Sequence, residues 1–387
     1  MEPKDFANRA GFPGTTSSAF DWIVRVTDTI ERVPGPLFGL ILIALALAAM
    51  RGDLPQALGL IFFFYADWLL IQMLPHAGKS YGPPQPPTLM LALLRVIPAL
   101  CLPFPWLWVA QLCGTALVIY AFWIEPHHIW LTRQSLESPK LNAGPPLRLL
   151  HLGDLHVERV TAREQQLVTM VKSLAPDLIV FSGDFLNLSN VDDSIAWEHC
   201  RSILRQFSAP LGVFAVTGSP PVDQPAIVAQ LLEGLNIHWL KNEKVTLEHN
   251  GQPIDLIGIT CTHQPHLDAP RLLDALGSQT GRFTILLYHS PDLAPEAARA
   301  GVDLQLSGHT HGGQVRLPFF GALYTSSLYG KQMEIGRMQI GNLTLYVTRG
   351  LGMEGKGAPR VRFLSPPEII LWEIAGKSRK IDLHDSL

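Results

Sequence analysis

Charge is scarce in this chain. Only 16% of its 387 residues are Asp, Glu, Lys or Arg, against 47% hydrophobic, whereas soluble domains carry about 25% charged residues. Mean hydropathy is accordingly positive, at +0.19. The net charge of −3 offers no bulk attraction to a phosphate backbone, so no nucleic-acid partner is expected. Cysteine is sparse as well: Cys101, Cys113, Cys200 and Cys261 lie far apart, with no Cys-x-x-Cys. That supports neither a thiolate zinc site nor a disulfide framework. No internal repeat is present. A secretory leader is not indicated, because its apolar core would lie nearer the start and end in a small-residue cleavage site. Residues 1–32 instead carry Lys4, Arg9, Arg25 and Arg32.

The hydrophobic excess sits in the first third. Within residues 1–32, Phe20, Ile23, Val24, Val26 and Ile30 form a helical apolar stripe beside Asp21, Arg25, Asp28 and Glu31. Such a helix would lie along a membrane surface or pack as a solvated helix on the next domain. Residues 33–130 hold four nearly uncharged runs, Val33–Met50, Leu54–Leu74, Thr88–Leu102 and Trp106–Ile124. About 20 apolar residues cross a bilayer, so a transmembrane bundle of about four helices is expected. Trp106, Trp108, Trp123 and Trp130 fall near segment ends, where interfacial anchors belong. Three crossings, with the Arg95-containing run excluded, would place the soluble part outside; four leave both termini on one side. The basic residues at the amino-terminal flank, with Arg133, Lys140 and Arg148 after the last run, put that side in the cytoplasm. The expectation is a multi-pass cell-membrane protein whose soluble part is cytoplasmic. Asp67 and Arg95, inside apolar runs, are expected to pair with each other.

Residues 131–147 read as a polar, Pro-containing linker, 148–376 as an α/β (α+β) domain and 377–387 as a polar tail. Helices are expected at 162–174, 192–207, 225–235, 268–277 and 292–300. Strands alone follow, at Met333–Ile340, Leu343–Thr348 and Glu368–Glu373. Helices between the early strands imply parallel pairing, and the late run implies antiparallel pairing. A two-layer β-sandwich flanked by helices fits this order.

Four apolar runs of this domain end in potential metal ligands. Leu149–Leu152 is followed by Asp154 and His156, and Leu178–Phe181 by Asp184. Phe283–Tyr288 leads to His289, and Val302–Leu306 to His309 and His311. In an extended backbone, residues i and i+2 point the same way, so each close pair can aim at one point. Mixed carboxylates and imidazoles suit divalent Mn, Fe or Zn.

At these residues the sequence resembles the calcineurin-like metallophosphoesterases. Their signature runs Asp-x-His, Gly-Asp, Gly-Asn-His-Asp/Glu, a single His, then Gly-His-x-His. Asp154/His156, Gly183/Asp184, His289 and Gly308/His309/His311 match in order. Ser307–Gln314 with Val315 and Leu317-Pro318, and Arg349–Gly352, resemble the membrane-anchored bacterial branch. One motif departs: where the family has Asn-His, this chain has Ser219-Pro220. Serine is a shorter and poorer neutral ligand, and proline has no proton to give.

The resemblance implies the β-sandwich fold and a centre of two divalent metal ions. Asp154, His156 and His311 would hold one ion, and His289, His309 and Ser219 the other. Asp184 would bridge them through its two oxygens. Asp184 and His309 are expected to take part in catalysis. Arg349 is expected either to contact a substrate phosphate or to form a salt bridge. His263 and His266 lie on a loop that could reach the site and supply the acid absent at Pro220. The implied activity is hydrolysis of a phosphoester, phosphodiester or pyrophosphate on a small-molecule or lipid substrate. The alternative is a degenerate member that binds metal or phosphate as a regulatory module.

Overall fold

The computed structural model describes residues 19–278, 280–355 and 358–377. Most of the expected polar tail, and the start of the amphipathic segment, lie outside these residues. The described residues begin with the amphipathic helix α1 (Ala19–Glu31) and four apolar helices: α2 (Gly35–Ala49), α3 (Leu54–Gln72), α4 (Gln85–Cys101) and α5 (Trp106–Ile119). Pro34 lies between α1 and α2 and Pro36 in the first turn of α2, and the two helices meet at 108°. The Asp53 carboxylate accepts the Gln56 N–H and caps α3, satisfying one of the donors that a helix start leaves free.

Two stretches, Leu54–Gln72 and Trp106–His127, are long and apolar enough to cross a membrane, and the bent α1–α2 pair is a third candidate. The expectation of four spans is reduced accordingly. α2 has 15 residues, and α4 has 17 with Pro98 inside it, against about 20 needed. Hydropathy alone does not show where a helix ends.

Asp67 and Arg95 pair as expected. Arg95 Nε donates to Asp67 Oδ2 at 2.6 Å and Nη2 to Oδ1 at 2.7 Å. Gln111 O and the Thr115 hydroxyl accept the remaining guanidinium protons, at 2.7 and 2.9 Å. This planar, forked geometry is one that only arginine offers.

The second part starts earlier than expected. Residues 131–147 are not wholly a linker, because β1 (Trp130–Ser138) is a strand of the first sheet. It lies at the sheet edge with polar side chains on its open face, which gives it the composition of a linker. The elements then alternate: β2 (Leu147–Leu152), α6 (Ala162–Leu174), β3 (Leu178–Phe181), α7 (Ser194–Leu204), β4 (Val213–Ala215), α8 (Pro225–Leu232) and β5 (His238–Trp239). The hairpin β6 (Glu243–His249) and β7 (Gln252–Gly258) follows. It turns at Asn250-Gly251, both with positive φ, which is the hairpin dipeptide. After it come α9 (Pro265–Leu276), β8 (Phe283–Leu287), α10 (Ala294–Arg299), β9 (Leu304–Ser307), the short pair β10 (Arg316–Leu317) and β11 (Gly321–Ala322), β12 (Gly336–Ile340), β13 (Leu343–Val347) and β14 (Glu368–Gly376).

Two six-stranded sheets result, ordered β1-β14-β2-β3-β4-β5 and β12-β13-β9-β8-β7-β6. The late strands pair in both senses. β12 is antiparallel to β13 and β14 to β2, while β13 runs parallel to β9 and β14 to β1. The inner faces meet in one core that includes Leu149, Val180, Phe214, Leu256, Ile285, Leu306 and the fully buried Trp372. Helices α6–α8 cover the outer face of the first sheet, and α9 and α10 that of the second. The Thr161–Glu164 capping box starts α6 at the expected residue. The apolar helices rest on the segment before β14: Ile71, Val118 and Phe122 pack on Val361, and Glu125 accepts the N–H groups of Leu364 and Ser365.

Replacing Arg95 by methionine strands the Asp67 charge. We expect R95M to lower unfolding stability in detergent by about 3–5 kcal/mol, and Asp67→Leu with Arg95→Met to recover most of the loss. Thermal unfolding of the two variants is the measurement.

Candidate metal centre

The parallel strands of both sheets deliver their carboxyl ends to one place. From the first sheet, β2 leads to Asp154 and His156, β3 to Asp184, and β4 to Ser219. From the second, β7 leads to His263, β8 to His289, and β9 to His309 and His311. Backbone bonds tie the loops together, with Asp154 N–H on Gly183 O at 2.9 Å and His156 N–H on Asp184 O at 3.1 Å.

The loops are wound tightly. Thirteen described non-glycine residues have positive φ, and six of them are Asp154, His156, Asp184, His263, His309 and His311. Such conformations cost of order 1–3 kcal/mol each and persist only where the surroundings enforce them. Two glycines make the approach possible. A Cβ on Gly308 would stand 2.6 Å from Asp154 Oδ1, and one on Gly218 would collide with the Asp184 carboxylate.

Two groups of donors form. Asp154, His156, Asp184 and His311 place their ligand atoms within 4.8 Å of one another, and so do His263, His289 and His309. The six aspartates and histidines expected as ligands are therefore brought together, with His263 beside them. The Ser219 hydroxyl lies 3.1 Å from His289 Nε2 and 3.4 Å from His309 Nδ1. Asp184 joins the groups through a single oxygen. Its Oδ2 is 3.5 Å from His156 Nε2 and 3.3 Å from His289 Nε2, while Oδ1 accepts the Ser219 N–H at 2.6 Å. Oδ2 is the Asp184 oxygen that faces both groups, while Oδ1 is also engaged by the loop after β4.

The donor chemistry fits divalent cations. His289 Nδ1–H donates to Ser182 O at 2.9 Å and His156 Nδ1–H to Leu186 O at 3.2 Å. Each leaves Nε2 aimed at the cluster, so that the neutral ring is the tautomer that metal-bound histidines need. Burial, with neighbouring histidines, holds His309 and His311 well below the ordinary imidazole range and His263 at about 3. These rings are neutral and able to ligate. At His289 burial also opposes the charge, but the Asp184 and Asp154 carboxylates lift its pKa to about 9. At Asp184 burial is outweighed by His289 and His156, which hold the carboxyl well below its usual range. A cation in the cluster would take the place of the His289 proton.

Three contributors were not singled out from the sequence. Asp223 accepts the N–H groups of Asp184 and Gly218, both at 2.7 Å, and of Phe185 at 3.1 Å. Burial and the Asp184 charge push its carboxyl up to about 7. Arg362 is fully buried with Nη2 3.4 Å from His311 Nδ1, and burial lowers its pKa to about 9. Glu354 Oε2 lies 3.8 Å from His156 Nδ1. No local motif announces them; Asp223 comes two residues after the place of the family's acidic residue.

Other expectations resolve differently. Arg349 forms the salt bridge expected as one of its two alternatives, with Nη2 2.5 Å from Glu368 Oε2. Pro220 and His266 are exposed. His263 reaches the cluster, its ring centroid 4.2 Å from that of His309 and 5.9 Å from that of His289.

A mixed sandwich with Asp/His clusters at the carboxyl ends of its parallel strands defines a metal-binding hydrolase architecture. Comparison with known proteins makes the assignment specific. The calcineurin-like phosphoesterase family model matches residues 147–313. The metallophosphoesterase YkuE of Bacillus subtilis is 31% identical over 264 residues, covering 66% of this chain and 88% of that protein. The UDP-2,3-diacylglucosamine pyrophosphatase LpxG of Chlamydia muridarum is 27% identical over 65% of this chain and 91% of its own length. The phosphodiesterase YaeI of Escherichia coli is 27% identical over 60% and 85%. The chain belongs to the calcineurin-like phosphoesterase family, and is a metal-dependent phosphoester hydrolase.

Asp223 holds three buried N–H groups, and a buried donor left unsatisfied costs about 1–3 kcal/mol. Asp223→Ala is therefore expected to lower thermal stability and to weaken metal binding together. Unchanged metal affinity in a destabilised variant would separate Asp223 from the site.

Proposed function

We propose a membrane-anchored phosphodiesterase or pyrophosphatase with a dinuclear metal centre, acting on a lipid-linked phosphate. The shared Asp184 Oδ2 carries the dinuclear reading, since one carboxylate oxygen faces both donor groups. Asp154, His156 and His311 would hold one ion, His289, His309 and the Ser219 hydroxyl the other, and Asp184 both. Bound there, Mn, Fe or Zn supplies charge neutralisation for the phosphoryl oxygens and acidifies water. The protein's own part is to fix the donors: backbone carbonyls hold His156 and His289 in one tautomer, and Ser219 N–H aims Asp184. His309, on the rim between the groups, is the imidazole nearest an incoming ester. With Pro220 where the family has histidine, protonation of the leaving group falls to another residue or to water. That substitution favours a second reading, a metal- or phosphate-binding module without turnover.

Anchoring is supported by the apolar helices, whose outward faces carry Leu40, Phe62, Leu69, Ile97 and Leu112, each more than half exposed. Exposed apolar surface of this extent marks contact with lipid or another apolar partner. If α3 and the α5 stretch alone cross, the ends of the helical region lie on one side, which Arg133, Lys140 and Arg148 assign to the cytoplasm; a third crossing by the bent α1–α2 pair would reverse the assignment. The substrate class is supported by a cavity of about 780 Å³ between the helices and the catalytic domain, lined by Ile23, Leu74, Met90, Leu93, Tyr81 and Arg360 among others. No metal-site side chain lines it. Gly355 in its lining is the sequence neighbour of Glu354, whose carboxylate lies 3.8 Å from His156 Nδ1. A relative that acts on a diacylated sugar nucleotide agrees with this substrate class.

Mn²⁺-loaded protein is expected to hydrolyse an aryl phosphodiester, chelator to abolish the activity, and Asp184→Asn to lose both turnover and most bound metal. Metal binding with no turnover would favour the binding module. Full-length protein is also expected to stay with membranes through a high-salt wash and to leave only with detergent. Since β1 completes the first sheet, a soluble catalytic form must begin before Trp130. Recovery of the full chain without detergent would contradict anchoring.

A further inference from the structure

We infer that His263 is a ligand of the second metal ion, in place of the asparagine that the family signature carries where this chain has Ser219. The inference rests on the dinuclear reading above and concerns which side chains complete its second half. A serine oxygen sits one bond nearer the backbone than a carboxamide oxygen. Ser219 Oγ already spends its reach on Asp184 Oδ2 at 3.2 Å and His289 Nε2 at 3.1 Å. Without a further donor, the second ion would have Asp184, His289 and His309 and a weak hydroxyl.

His263 stands where that donor is needed. It is buried, and one of its ring nitrogens lies within 4.8 Å of ligand atoms of both His289 and His309. It arrives as the other ligands do, just past the carboxyl end of a parallel strand, here β7 beside β8. It also shares their backbone signature, with φ +59°, in the region that non-glycine residues enter only when held.

The holding device is visible. Asp268, fully buried on α9, accepts Thr262 N–H at 2.8 Å and the Thr262 hydroxyl at 2.9 Å. The same oxygen accepts the Tyr288 hydroxyl at 2.7 Å. One carboxylate thus ties the residue before His263 to the residue before His289, fixing the two imidazoles relative to each other. The exchange of a neutral amide for a neutral imidazole preserves the charge of the centre. Three imidazoles and a carboxylate also make the second site better suited to Zn or Fe than to Mg.

The test reads metal binding, not turnover, on the full chain in detergent, stripped of metal and titrated with Zn²⁺. Native protein should take two ions. In H263A the affinity for one ion should fall by about 10-fold or more, at least the loss seen when only a ligand's supporting contact is removed. The ion held by Asp154, His156 and His311 should be unaffected. Ser219→Asn should change little in the native background, by less than about 3-fold, and should restore the second ion in H263A. Native affinity for both ions in H263A would overturn the inference. So would equal tightening by Ser219→Asn in both backgrounds, because two independent ligands add. If H263A does not fold, Ser219→Asn alone decides: tightening by about 10-fold or more would mean that no other residue had taken the asparagine's place. A native chain that binds one ion would instead overturn the dinuclear reading, and absence of hydrolysis would leave this result untouched.

Discussion

One carboxylate oxygen organises the centre. Asp184 Oδ2 faces His156 on one side and His289 on the other, at 3.5 and 3.3 Å, and the rest of the domain can be read as the means of holding it there. Asp184 is buried, and a buried carboxylate needs compensating partners. Oδ1 takes the Ser219 N–H, the Asp184 N–H goes to Asp223, and a glycine at 218 lets the loop after β4 pass close by. The two sheets must present their carboxyl ends to the same point for this to happen. The packed core between them, from Leu149 to Trp372, fixes that relation.

Much of this was legible in the sequence because the ligands sit at fixed offsets from short apolar runs. β2, β3, β8 and β9 were each marked by a buried run, and the residue after each run proved to be where the topology converges. α6 was readable to the residue, since Thr161 and Glu164 form a local capping box. What failed depends on long-range pairing. β1 looked like a linker because an edge strand needs few apolar residues, and only its pairing with β14 makes it a strand. The sense of the late strands was half right, because β13 and β14 each have one parallel and one antiparallel neighbour. His263 reads as a loop histidine within reach of the site, as an acid rather than a ligand, but Asp223, Arg362 and Glu354 were not recoverable from pattern alone. Each reaches the cluster from a loop whose path is set by contacts distant in sequence.

The helical region shows the same division. Composition identified apolar helices and the Asp67–Arg95 pair, both matters of local chemistry. Helix length was not readable, because proline and glycine at Pro34–Pro36, Pro98 and Pro103–Pro105 break the runs at points that hydropathy smooths over. The resulting bundle does more than carry apolar surface. Glu125, just past α5, caps the chain at Leu364 and Ser365, and Ser365 in turn holds His311 O at 2.9 Å. The helices are therefore coupled to a metal-site residue through two hydrogen-bonding steps. This gives the apolar region a structural share in the centre as well as a place beside the cavity.

The departure at Ser219-Pro220 shows how such a site tolerates change. The position where the family carries asparagine lies on the loop after β4 of one sheet, and His263, the ligand inferred to answer it, on the loop after β7 of the other. Electron paramagnetic resonance of the Mn²⁺-loaded full chain shows whether two ions share Asp184. Sharing gives two Mn²⁺ per chain and the multiline spectrum of an exchange-coupled pair about 3.5–4 Å apart. A six-line spectrum from isolated ions at full loading would contradict it.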